Sequence, residues 1–218
     1  MNVQRLGTLG ALAIVVSCTV LRAQEPAVVL ENADFSCRLG STGRILGFID
    51  RRTGRDYCAQ PGVRPCLTVT KCGVCYEPTA CSYADSKLSL RFGPDGMEVV
   101  ANVASKGRYL VLEIALVSDP QVEQLELSNL SVTCAKYVAA MAGVAADDEF
   151  AVCLRALNQQ VQGEIGGRPA VLRARCYRQY GLTGAKIALV ACPTPELREV
   201  LKQVVRAENL PHSALGGP

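Results

Sequence analysis

From Val28 onward, polar and apolar residues follow a period of two rather than 3.6. Lys87-Leu88-Ser89-Leu90-Arg91-Phe92 alternates cleanly, as a strand with one buried face does. Gly93-Pro94-Asp95-Gly96 predicts a turn, after which Met97 to Ala104 alternates again, with Met97, Val99, Ala101 and Val103 on one face. Lys106-Gly107 predicts the next turn. Tyr109 to Val117 is apolar on both faces except at Glu113, which predicts a strand in the middle of a sheet. Glu123 to Leu127, Ser131 to Ala135, Phe150 to Leu157, Val171 to Tyr177 and Lys186 to Cys192 continue the series. At the front, Phe35 to Leu39 and Arg44 to Asp50 flank the hairpin signal Gly40-Ser41-Thr42-Gly43. Gly163 to Pro169 is rich in glycine but opens no helix, so its amides gain no dipole for a phosphate and it reads as a hairpin. Strands follow one another without crossover helices, which predicts an all-β fold: an antiparallel, supersandwich-like β-sandwich over residues 24–193.

One helix is expected, over residues 194–209. Thr194 can cap it, Pro195 suits the first helical position, and Glu196 and Glu199 suit the positive end. Leu197, Val200, Leu201 and Val204 then form an apolar stripe able to dock on another surface. Residues 210–218 read as a linker to a downstream domain. At the other end, Arg5 precedes an uncharged apolar run from Leu6 to Val16, which is short for a membrane span and fits a signal peptide. Cleavage after Ala23 makes residues 1–23 that signal; the alternative is a lipobox at Val15-Val16-Ser17-Cys18, with Cys18 lipidated. Both exits imply export to the periplasm or beyond.

Composition narrows the chemistry. The sole histidine is His212 and there is no tryptophan, so the commonest neutral-pH acid–base group and the commonest sugar-stacking platform are missing from the body of the chain. Without Arg5 and Arg22, the 23 basic residues fall to 21 against 20 acidic ones, and no basic stripe points to nucleic acid.

Certain segments resemble a known family. Val29-Leu30-Glu31-Asn32, Phe35 to Leu39, Thr42 to Asp50 and Arg52 to Asp56 are similar to the opening of the galactose-mutarotase-like β-sandwich at the N-terminus of large secreted bacterial glycoside-hydrolase-like proteins. Ala80 to Asp85, Gly184 to Val190, the closing helix and Leu210 to Pro218 resemble segments of the same group. The resemblance spans nearly the whole chain after residue 23, but rests on turn and core signatures. It implies that a catalytic β/α barrel follows and that this sandwich is a non-catalytic accessory. No catalytic residue, cofactor or metal is carried over. The helix, through Leu197, Leu201 and Val204, is expected at or near the junction with the barrel.

The remaining candidates are read from the residues. Of 11 cysteines, Cys18 lies in the leader. Cys66, Cys72, Cys75 and Cys81 form a cluster suited to a structural disulfide or unpaired thiols; zinc or a redox pair at Cys72-Gly73-Val74-Cys75 fits less well, since only one short-spaced knuckle is present. Cys37, Cys134, Cys153, Cys176 and Cys192 fall in strand patterns and read as buried free thiols. Asp147-Asp148-Glu149 reads as a solvated turn. Arg173, Arg175 and Tyr177 share one strand face opposite Cys176 and could touch a glycan, although an ordinary polar exterior accounts for them too. The expectation is an accessory domain of an exported carbohydrate-active protein. The alternatives are a self-standing glycan-binding module and a cysteine-rich structural envelope protein.

Overall fold

A computed structural model describes residues 26–211. It is an all-β antiparallel sandwich closed by one C-terminal helix, as the period of two predicts. The strands are β1 (Val28–Glu31), β2 (Phe35–Leu39), β3 (Ile45–Asp50), β4 (Leu67–Lys71), β5 (Val74–Tyr76), β6 (Pro78–Ala84), β7 (Lys87–Phe92) and β8 (Met97–Ser105). They continue as β9 (Tyr109–Val117), β10 (Val122–Val132), β11 (Tyr137–Ala139), β12 (Val144–Ala146), β13 (Phe150–Ala156), β14 (Val161–Gly166), β15 (Ala170–Tyr177) and β16 (Lys186–Pro193). The helix, α1, is Leu197–Ala207.

Three sheets form. A small one has the order β1-β2-β3, a second β14-β15-β10-β4-β5, and the largest β11-β12-β13-β16-β9-β8-β7-β6. β9 lies between β16 and β8, the central position that its two apolar faces predict. Inward side chains of all three sheets merge into one core, with Phe35 against Phe48 at 5.0 Å between ring centroids and Tyr57 stacked on Phe150 at 4.5 Å.

Two expected strands, Glu123 to Leu127 and Ser131 to Ala135, are one. Ser128 takes a positive φ of 55° and the β10 register shifts between Leu127 and Leu130 against β15, so the polar Ser128-Asn129 pair is a bulge inside a strand rather than a turn. Cys134 therefore lies just past the strand, though still buried. The glycine-rich segment is the β14–β15 hairpin, in register from Val161 opposite Cys176 to Gly166 opposite Val171.

A second apolar cluster explains the sequence of β13 and β16, which are buried on both faces. Ala151, Cys153, Ala188, Val190 and Cys192 look outward from the largest sheet, and Val200 and Val204 of α1 pack on them, fully buried. Leu197, Leu201 and Leu210 flank this contact, half-buried. The helix begins as a 3-10 turn, Thr194–Glu196, with no side-chain cap; the Thr194 hydroxyl donates instead to the Asp147 carbonyl at 2.8 Å. Thr194 is thus a tether to the β12–β13 turn and not the cap its sequence position predicts. At the far end Glu208 accepts from Lys186 Nζ at 2.9 Å and from the Tyr109 hydroxyl at 3.1 Å. Among the described residues no helix is long and apolar enough to cross a membrane. The expected signal peptide, the alternative lipid site at Cys18, His212 and most of the linker lie outside the described residues.

Candidate functional site

The polar face of the five-stranded sheet is built by alternation. In β15, Leu172, Ala174 and Cys176 point to the core, which turns Arg173, Arg175 and Tyr177 outward, each half-buried. In β10, Leu125 and Leu127 are buried and Glu126 faces out. Register then sets the rows. Gln162, Arg175, Glu126 and Thr68 lie side by side across four strands, and Tyr177, Gln124, Thr70 and Cys75 form another row. Glu164 stands opposite Arg173.

Two guanidinium groups and two carboxylates interlock on this face. Arg175 donates through Nε to Glu126 Oε2 at 2.9 Å, and its Nη1 is 2.9 Å from Glu164 Oε2. Arg173 lies 4.0 Å from each of the same two carboxylates, and its Nε is buried without a hydrogen-bond partner. The hydrogen bond to Glu126 holds the Arg175 guanidinium above its ordinary pKa against the opposing effect of burial. The four charges cancel. What remains is a charge-neutral surface of fixed donors and acceptors beside a tyrosine ring.

Arg173, Arg175 and Tyr177 thus share the face their spacing predicts. Glu126 and Glu164 carry no such local signal, because only strand register brings them to the arginines; the alternation Leu125-Glu126-Leu127 is the one trace in the sequence.

The four-cysteine cluster divides. Cys66 and Cys81 are half-buried and anchored on one turn, with the Cys66 amide donating to Gly43 O at 2.9 Å and the Cys81 amide to Ser41 O at 2.7 Å. Burial pushes the Cys66 thiol well above its ordinary value and Cys81 to about 11. Cys72 and Cys75 are exposed on the β4–β5 hairpin. All ten cysteines of the described residues are free thiols, and no group of three or more His, Cys, Asp or Glu residues among them is arranged to hold a metal ion. Asp147, Asp148 and Glu149 diverge: Asp147 accepts from the Phe150 amide, Asp148 pairs with Lys136 and Glu149 with Arg55. In the helix, Val204 faces this domain's own sheet, whereas Leu197 and Leu201 keep part of their surface outside.

No protein-family model and no curated protein matches the chain. Solved structures do. The α-N-acetylgalactosaminidase NagBb of Bifidobacterium bifidum, in complex with GalNAc, superposes on 83% of this chain with a TM-score of 0.52 at 9% identity. A polysaccharide lyase superposes on 80% of the chain with a TM-score of 0.40 at 14% identity, covering 35% of that protein. The chain spans 38% of the length of NagBb. At this identity the likeness to NagBb is one of fold: the chain has a β-domain architecture that also occurs inside a sugar-cleaving enzyme.

Proposed function

We propose that this chain is the accessory β-sandwich of an exported carbohydrate-active protein, itself non-catalytic and packed against a following catalytic barrel. The observation that carries the reading is the superposition on little more than a third of a glycosidase, with most of this chain used and most of the enzyme left over. The interlocked, charge-neutral Arg/Glu face supports it further, since none of its groups is placed as a nucleophile beside a base. In this role the sandwich would stiffen the barrel and shape one wall of its substrate cleft, with the exposed parts of Leu197 and Leu201 near the junction.

The test is the intact mass of the native protein from its source, followed by glycosidase assays on it and on this domain alone. A mass well above 23.2 kDa, with activity only in the longer protein, is the expected result. A native product no larger than this chain, or glycoside cleavage by this domain alone, refutes the proposal.

A second reading, a glycan-binding module, is favoured by the row of Tyr177, Gln124 and Thr70 beside Arg175. Titration with a panel of neutral polysaccharides decides it: binding lost in Arg175→Ala and Tyr177→Ala supports it, and no binding by the wild type removes it.

A further inference from the structure

The β4–β5 hairpin turns through Cys72 and Gly73, whose φ angles of 51° and 72° are both left-handed, between the paired residues Lys71 and Val74. Turns of this kind favour Asn followed by Gly, because Asn tolerates a positive φ better than other side chains do. Here a cysteine stands where turn chemistry would select Asn. A residue held against its local preference points to a use outside the turn.

The tip is also held in place. Lys71 Nζ is 2.6 Å from Asp119 Oδ2, and the Gly73 amide donates to Glu123 Oε2 at 3.1 Å, so the strand is tied to the segment before β10 and the turn to β10 itself. Cys72 and Cys75 are exposed and flank Val74, itself 52% exposed, and β5 is an edge strand. The other eight thiols of the described residues are buried or half-buried, and burial pushes every one of them up.

We propose that the β4–β5 tip, which carries the exposed Cys72 and Cys75, is a thiol–disulfide exchange site, at which Cys72 takes up one half of an external disulfide. The Cys72 thiolate attacks one sulfur of R–S–S–R. A new S–S bond joins Cys72 to R–S, the old bond breaks, and the other half leaves as R–S⁻. The cysteine sulfur is oxidised and the departing sulfur reduced, with no further oxidant. The inference stands apart from the accessory reading.

The experiment treats the folded, reduced full chain with oxidised glutathione, quenches by alkylation, and maps the adducts by mass spectrometry. Adducts are expected at Cys72 and Cys75 at least about tenfold faster than at any of the eight buried or half-buried thiols. They should vanish in Cys72→Ser/Cys75→Ser, whose urea midpoint should stay close to that of the wild type. A reducible chain-to-chain dimer lost in the same double variant also supports the site, with a second copy as the disulfide partner. Comparable rates at Cys58, Cys66 or Cys81, fast adducts that persist in the double variant, or no adduct on the folded chain overturns it.

Discussion

Raising the pH should unfold this protein through its buried thiols. Cys37, Cys134, Cys153, Cys176 and Cys192 are each pushed up by burial to about 12, against an ordinary 9.0. Between those values the folded chain keeps its thiol protons and the unfolded chain releases them. The unfolded state therefore binds fewer protons, so the contribution is complete below pH 9 and is lost as pH rises toward 12. Each thiol is worth about 1.4 kcal/mol per pH unit in that window, so five together cost the fold about 7 kcal/mol by pH 10. That is comparable to the whole stability of a typical domain, about 5–15 kcal/mol, and cooperative unfolding is expected between about pH 10 and 11. The assay is a series of urea titrations followed by far-UV circular dichroism from pH 7.5 to 10, under a phosphine reductant. Staying at or below pH 10 limits the contributions of Tyr109, which burial raises to about 12, and of the lysine ion pairs. Cys176→Ala should flatten the slope by about 1.4 kcal/mol per pH unit above pH 9. A stability that does not change from pH 8 to 10, or a slope that Cys176→Ala leaves intact, would refute the reasoning.

Other predictions concern packing. Val204→Ala should cost about 1–2.5 kcal/mol, the loss of two buried methyl groups less the gain in helix propensity, whereas Val205→Ala, at a half-exposed position, should change stability by under about 0.5 kcal/mol in either direction; urea midpoints check the contrast, and equal effects would mean that α1 is not docked as described. Gly143→Ala should cost about 3 kcal/mol or more, because φ is 67° and the new Cβ would lie 2.5 Å from the Leu154 carbonyl oxygen, so thermal unfolding should drop by several degrees. Glu126→Ala should cost about 1–2 kcal/mol by leaving two half-buried arginines with Glu164 alone, and a double-mutant cycle with Arg175→Ala should return a coupling of about 1 kcal/mol. Lowering the pH should loosen the end of the helix. Burial raises the Glu208 carboxyl, but its bonds with Lys186 and Tyr109 outweigh that and hold it below 4.5; the stabilisation present above 4.5 is lost as pH falls through the lower folded value, and amide exchange near Leu210 should report it.

The strands were legible because one sheet face needs every second side chain apolar, and that demand is written residue by residue. Lys87–Phe92 and Tyr109–Val117 match their predicted limits for this reason, and the change of period at Leu197, Val200, Leu201 and Val204 predicts a helix over 194–209, of which Leu197–Ala207 is α-helical. Short or irregular pairs were less legible. β5, β11 and β12 have three residues each, too few to establish a period, and the Ser128 bulge imitates a turn in a one-dimensional pattern. In the candidate face, the three residues from a single strand were readable, while their carboxylate partners come from β10 and β14 and depend on register.

By itself, then, the sequence determined the fold class, the outward face of β15 and the apolar stripe of α1, since each depends on contacts repeated at fixed spacing along one segment. Tertiary structure alone decided how those segments meet. It turned Val200 and Val204 onto Cys153, Val190 and Cys192, sent Cys66 and Cys81 inward while leaving Cys72 and Cys75 on a hairpin tip, and set Glu126 between two arginines. Which residue meets which across strands is settled by register and by the folding of one sheet over another, and residues far apart in sequence carry no local mark of either.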